Sequence, residues 1–108
     1  MKLLLDTHTF IWWNSNSFQL SQPVLELCND STNSLLFSVA SAWEIQIKVQ
    51  LGKLILNESL SDIINNQQQI NNLAILPITL NHVLTLNSLP LHHKDPFDRL
   101  LIAQAISE

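Results

Sequence analysis

A chain of 108 residues is long enough for one domain and not comfortably for two, and 46% hydrophobic residues allow it a packed core. Its net charge of −4 excludes the overall basic footprint of a nucleic-acid binder, so any contact with nucleic acid must be local, metal-bridged or shared with a partner. The single cysteine, Cys28, excludes an intramolecular disulfide and suits a reducing compartment. The apolar run of MKLLLD is too short for a signal peptide, and no stretch approaches the ~20 apolar residues of a membrane span. A cytoplasmic protein is expected.

Residues 2–6 (KLLLD) read as a short buried strand of the kind found centrally in a parallel sheet. Thr7 to Trp13 reads as a helical turn or two. SQPVLELCND (21–30) begins on a Ser cap with Pro23 in the first turn and is predicted helical, with Cys28 a buried thiol. SLLFSV (34–39) reads as the second strand. From residue 41 to 51 a helix is predicted: Ser41 and Glu44 have capping-box spacing, and Gly52 is a plausible stop. The alternation of Trp43, Ile45, Ile47 and Val49 argues the other way. Residues 59–72 make a helix with Leu60, Ile63, Ile64 and Ile70 apolar. AILPI (74–78) is a third strand, placed at or near an edge by Pro77. Asn81 is expected to cap a helix to about Ser88, broken by Pro90. Asp95 followed by Pro96 then opens a last helix that packs Leu100, Leu101, Ala103 and Ala105 inward. Strands alternating with helices imply an α/β fold, one domain over 1–108, with a parallel sheet covered on both faces. An α/β unit would return with another strand after this helix, so the sequence looks short by a C-terminal piece.

Three acids stand out by position. Asp6 ends the first strand, at the carboxyl edge where open α/β sheets place their ligands. Glu44 is expected in the first turn of the helix that follows the second strand, and Asp98 in the first turn of the last helix. If the strands are parallel neighbours, the three meet at one edge. Carboxylates brought together repel unless a cation sits between them, and hard oxygen ligands suit Mg²⁺ or Mn²⁺. Each acid also has a structural role open to it. Asp6 can cap the next helix, Glu44 can pair with Ser41 in a capping box, and Asp98 can answer a helix dipole, worth ~0.3–1 kcal/mol. Residue types and spacing alone mark a candidate site and leave both readings open. The octapeptide HHKDPFDR (92–99) adds four of the fourteen charged residues and two of the four histidines around one proline. Adjacent histidines without cysteines match no zinc spacing.

Three blocks resemble the PIN-domain ribonucleases, specifically the VapC-type toxins of type II toxin–antitoxin pairs. They are LLLDTHTFIWW (3–13), SVASAWEIQIKVQLGKL (38–54) and LPLHHKDPFDRLLIAQA (89–105). Together they cover about two fifths of the chain, in order. The resemblance implies a PIN-like three-layer α/β/α fold with its final strand missing, and a Mg²⁺- or Mn²⁺-dependent endoribonuclease. In it Asp6, Glu44 and Asp98 are the catalytic acids and metal ligands. Thr7 and Ser41 occupy the hydroxyl positions beside the first two acids. Asp95 serves as helix cap and Arg99 steadies the acids or contacts phosphate. Lys94, His92 and His93 form a local positive or hydrogen-bonding surface, and His8 lies near the site. The family's fourth acidic or amide position falls beyond Glu108, so the alternative is an impaired PIN-fold protein that binds an antitoxin without cleaving RNA.

The partners implied are an RNA with an unpaired backbone, a cognate antitoxin whose tail crosses the groove, and a second copy of the chain; no membrane is expected. Trp12, Trp13 and Trp43 either line that groove or pack in the core. A PIN-like nuclease acting on DNA or in RNA processing remains an alternative to the toxin. A phosphoaspartyl enzyme is disfavoured, because its pattern needs a second Asp where His8 stands.

Overall fold

The computed structural model describes residues 1–15, 17–90 and 95–108. Lys2–Leu5 (β1), Ser34–Ser38 (β2) and Ala74–Leu76 (β3) form a parallel sheet in the order β1-β2-β3, flanked by helices. The helices are Thr7–Ser15 (α1), Gln22–Asn29 (α2), Val39–Gln50 (α3), Leu60–Asn71 (α4), Leu80–Thr85 (α5) and Pro96–Ser107 (α6). Short 3₁₀ turns follow α1 and α5 at Ser17–Gln19 and Leu86–Ser88. Among the described residues no helix is long and apolar enough to cross a membrane.

The sheet departs from the sequence reading in one respect. The central strand is β2, and β1 takes an edge. Phe37 and Ser38 of β2 are fully buried, whereas Leu3 and Leu4 of β1 are only half-buried. An apolar run of this length suits either position, so composition does not separate them. The edge expected for β3 is found, and the strand ends immediately before Pro77.

The core lies where α1, α2 and α3 meet the sheet. Phe10 stacks on Phe37 with ring centroids 4.0 Å apart, and Leu5, Cys28, Leu35, Ile45 and Leu73 close around them. The expected burial of Cys28 is found, and burial pushes its thiol pKa up. The α2 cap is the one anticipated, with Ser21 accepting from the Val24 N–H and Pro23 in the first turn.

Helix α3 starts earlier than the sequence suggests. Ser38, not Ser41, is its cap and accepts from the Ala40 N–H at 3.0 Å. Ser41 and Glu44 therefore form no capping box, and Glu44 stands in the second turn. The apolar alternation does not break the helix, because burial follows the helical period. Ser41, Glu44 and Ile45 are buried while Trp43 and Val49 face outward. Gly52 lies just past the end with φ of 72°, the left-handed conformation that suits glycine at a helix stop.

Two further local readings are corrected. The α5 cap is Thr79 rather than Asn81: its hydroxyl accepts from the His82 N–H, while His82 Nδ1 accepts from the Thr79 N–H at 3.0 Å. This reciprocal pair satisfies two N-terminal donors that Asn81 would leave open. In α4 the inward positions are Leu60, Ile63, Ile64 and Gln67, and Ile70 is exposed. Gln67 instead binds Asn14 of α1 at 2.6 Å.

Candidate active site

Parallel register builds the site. Leu5 pairs with Phe37 and Phe37 with Ile75, so the residues that follow, Asp6, Ser38 and Leu76, emerge together at the carboxyl edge of the sheet. Helices α1 and α3 begin at that edge directly after their strands. Helix α6 packs across α3 and α5.

Asp6 does two things at once. It caps α1, with Oδ1 accepting the Thr9 N–H at 2.7 Å. Among the described residues Oδ2 has no hydrogen bond, and the side chain is exposed. The cap and the candidate acid are thus the same carboxylate.

Glu44 is held rather than open. It is buried, and the buried hydroxyl of Thr7 donates to Oε1 at 2.7 Å. The Thr7 oxygen also lies 3.0 Å from Ser41 Oγ, so the two hydroxyls and the carboxylate form one buried network between α1 and α3. Lys48, one turn further on α3, pairs with Oε2 at 3.1 Å. A buried carboxylate requires such partners, since an isolated one carries a desolvation cost of several kcal/mol (an order-of-magnitude figure). The Lys48 partnership was missed in the sequence, although Glu followed by Lys at i,i+4 is a legible spacing.

Asp98 is exposed in the first turn of α6. Asp95 caps the helix as expected, its Oδ1 accepting the Phe97 and Asp98 N–H groups at 2.8 and 3.2 Å. The carboxyl of Asp98 is pushed above its ordinary range, chiefly by desolvation and then by the charges of Asp95, Glu44 and Asp6, with His8 pulling the other way. Arg99 donates to the carbonyls of Pro90 at 3.0 Å and Leu86 at 3.2 Å, which ties the start of α6 to the turn before it. His92, His93 and Lys94, from which a positive surface was expected, lie outside the described residues.

A second buried network, unanticipated from the sequence, fixes α6 to the same sheet edge. Gln104 is fully buried; its Oε1 accepts from the Ser38 hydroxyl, and its Nε2 donates to the Pro77 carbonyl at 3.3 Å. One side-chain amide thus joins the ends of β2 and β3 to α6. Its Nε2 also lies 3.4 Å from Nδ1 of the buried His82, whose Nε2 lies 3.0 Å from Glu108. The sequence reading turned Ala105 inward, but it is exposed and Gln104 takes that face with Leu101 and Ala103. A polar residue within an apolar run gives no signal of this kind unless its partners are known.

The tryptophans divide. Trp13 packs against the core and donates from Nε1 to Asn29 at 3.2 Å. Trp43 and Trp12 are 60% and 37% exposed. A separate apolar cleft of about 390 Å³ opens between α1 and α4, lined by Phe10, Ile45, Leu54, Leu56 and Ile63 among others. None of the three acids lines it, so the cleft is not the acidic site.

Comparison with known families decides the matter of kinship. The family model for the PIN domain matches residues 3–108. The chain belongs to the PIN domain family. A search of curated proteins and one of solved structures each returned no match. PIN domains are generally nucleases and typically use divalent metals. The α/β architecture with its parallel sheet is the one such a PIN domain requires.

Whether the acids of this PIN domain fit a divalent cation can be judged from their chemistry. Among the described residues no three His, Cys, Asp or Glu side chains stand close enough to enclose an ion as they are placed. The donor set nevertheless suits Mg²⁺ or Mn²⁺, being carboxylate oxygen throughout. Desolvation is the larger cause of the rise at Asp98; the lesser part, repulsion from Asp95, Glu44 and Asp6, is what a cation beside Asp98 would relieve. The fit is therefore one of donor chemistry and charge.

Proposed function

We propose that this PIN domain is a metal-dependent endoribonuclease, the toxin of a type II toxin–antitoxin pair. The nuclease reading is carried by the match to the PIN domain family, and supported by Asp6 directly after β1, Glu44 on α3, which begins at the same sheet edge, and Asp98 in the first turn of α6, which packs against α3. The three sequence blocks that resemble VapC-type toxins support the finer assignment, and with it a cognate antitoxin and a second copy of the chain as partners.

In this reading Asp6 and Asp98 hold Mg²⁺ or Mn²⁺, with Glu44 in support. When bound, such an ion polarises a phosphate oxygen and lowers the pKa of a water. Asp6 is positioned by its cap bond to Thr9, and Asp98 by the α6 start that Asp95 and Arg99 fix. Glu44, locked by Thr7 and Lys48, orients the attacking water or takes its proton. The substrate is RNA with an unpaired backbone, whose phosphates can approach the acidic edge.

The test is cleavage of a mixed RNA substrate with Mg²⁺ or Mn²⁺, comparing the native chain with Asp6→Asn and Asp98→Asn. Cleavage that disappears in both variants and with chelator supports the reading. A folded, monodisperse protein that leaves the RNA intact refutes it and leaves the alternative, a PIN fold that binds its antitoxin without cleaving.

A further inference from the structure

Two aromatic pairs, each with an exposed indole, stand on the helices that follow or carry the carboxylates. His8 and Trp12, one turn apart on α1, meet with ring centroids 5.7 Å apart and planes tilted by 52°. Trp43 of α3 and Phe97 of α6 meet edge to face, 5.3 Å apart at 77°. Each pair is joined in sequence to an acid: His8 lies two residues after Asp6, Trp43 precedes Glu44, and Phe97 precedes Asp98. Helices α1 and α3 both begin at the carboxyl edge of the sheet, directly after β1 and β2, so the α1 pair belongs to the same edge as Trp43.

Indole is among the most thoroughly buried side chains on average, so two exposed indoles beside one acidic cluster need a reason. Phe97 braces Trp43 from α6, which holds the indole in one orientation while more than half of its surface stays open. The electrostatics sharpen the question. Proteins usually hold nucleic acid by neutralising phosphates, a term that is weak or adverse for a chain of net charge −4. Base stacking on an aromatic face is independent of that charge and tolerant of sequence.

We infer that Trp43 and Trp12 are stacking platforms for unpaired bases on either side of the phosphodiester presented to Asp6 and Asp98. The inference rests on the nuclease reading and adds to it the residues that select single-stranded over paired nucleic acid. Paired bases are already stacked on their neighbours and offer these indoles no face. Binding should accordingly show a shallow dependence on salt.

The test uses the whole chain in chelator, where a metal nuclease is silent, with a fluorescently labelled RNA 12-mer of scrambled sequence, single-stranded or annealed to its complement. Trp43→Leu and Trp12→Leu keep apolar bulk but remove the indole, and each should weaken single-strand binding by roughly 5- to 150-fold. Trp43→Phe, which keeps an aromatic face, should recover most of the loss. Single strand should quench tryptophan emission in the native chain and the duplex should not. Matching thermal melts show that the variants fold. Undiminished single-strand binding by both Leu variants, or equal competition by duplex, overturns the inference; if the native chain still cleaves RNA with Mg²⁺, the nuclease reading survives. A native chain that neither binds single strand in chelator nor cleaves with Mg²⁺ overturns both.

Discussion

Replacing Gln104 with Leu keeps the side chain near its size and removes only the amide. The Ser38 hydroxyl and the Pro77 carbonyl then lose their shared partner at the end of the sheet. The fully buried Ser38 hydroxyl left without its acceptor costs about 1–3 kcal/mol, and loss of the bond to the exposed Pro77 a further ~0.5–1.5 kcal/mol, ~1.5–4.5 kcal/mol together. Burying a Leu side chain returns up to about 2 kcal/mol. At the middle of these ranges the net loss is ~2 kcal/mol, a lowering of Tm on the order of 10 °C. Calorimetry or circular dichroism measures it. Because Ser38 and Gln104 share one bond, Ser38→Ala combined with Gln104→Leu should lose less than the two single losses added, with a coupling of at least ~0.5 kcal/mol. A drop in Tm under about 4 °C for Gln104→Leu would refute the reasoning, and so would strict additivity. RNA cleavage should fall in parallel, since the same amide ties the helix carrying Asp98 to the strand ends.

Thr7→Val removes the donor to the buried Glu44 Oε1 and should lower stability by about 1.5–3 kcal/mol, as for hydrogen bonds to charged groups, while Thr7→Ser should retain most of it; urea melts of the three proteins decide. Asp98 has a folded pKa raised above the ordinary 3.8, so its protonation favours the fold: its contribution is present in acid and lost as pH rises through the folded value. Asp98→Asn should therefore gain in Tm relative to the native chain between acid and neutral pH, and a difference independent of pH would contradict the assignment. Mg²⁺ should raise the Tm of the native chain and leave that of Asp98→Asn nearly unchanged, which a thermal-shift titration checks. Cys28, buried with its thiol pKa pushed up, should react with a disulfide reagent only slowly in the native protein and rapidly in denaturant; fast native labelling would show that α2 opens readily.

Much of this molecule is a local matter and was legible as such. Ser21 with Pro23, Asp95 with Pro96, and Gly52 are cap and stop signals that act within a turn of themselves, and each does so in the fold. Asp6 and Glu44 are legible for a related reason: a carboxylate directly after a parallel strand, or in the first turns of the helix that follows one, is placed by the strand–helix succession itself, whereas among the described residues Asp98 on α6 directly follows no strand. Other features needed the tertiary structure. Ser38 rather than Ser41 starts α3, because β2 runs directly into the helix and its last residue becomes the cap. Glu44 can be buried because Thr7 reaches it from 37 residues away. Gln104 turns inward because the ends of two strands present a hydroxyl and a carbonyl that one amide can join. The sequence by itself determined the starts of α2 and α6, the stop at Gly52 and the place of Asp6 directly after β1, because those follow from neighbours in the chain. Only the tertiary structure decided which strand is central and which polar side chains are buried. Those choices depend on partners that meet across the fold, and a buried polar group is stable only once such a partner is in place.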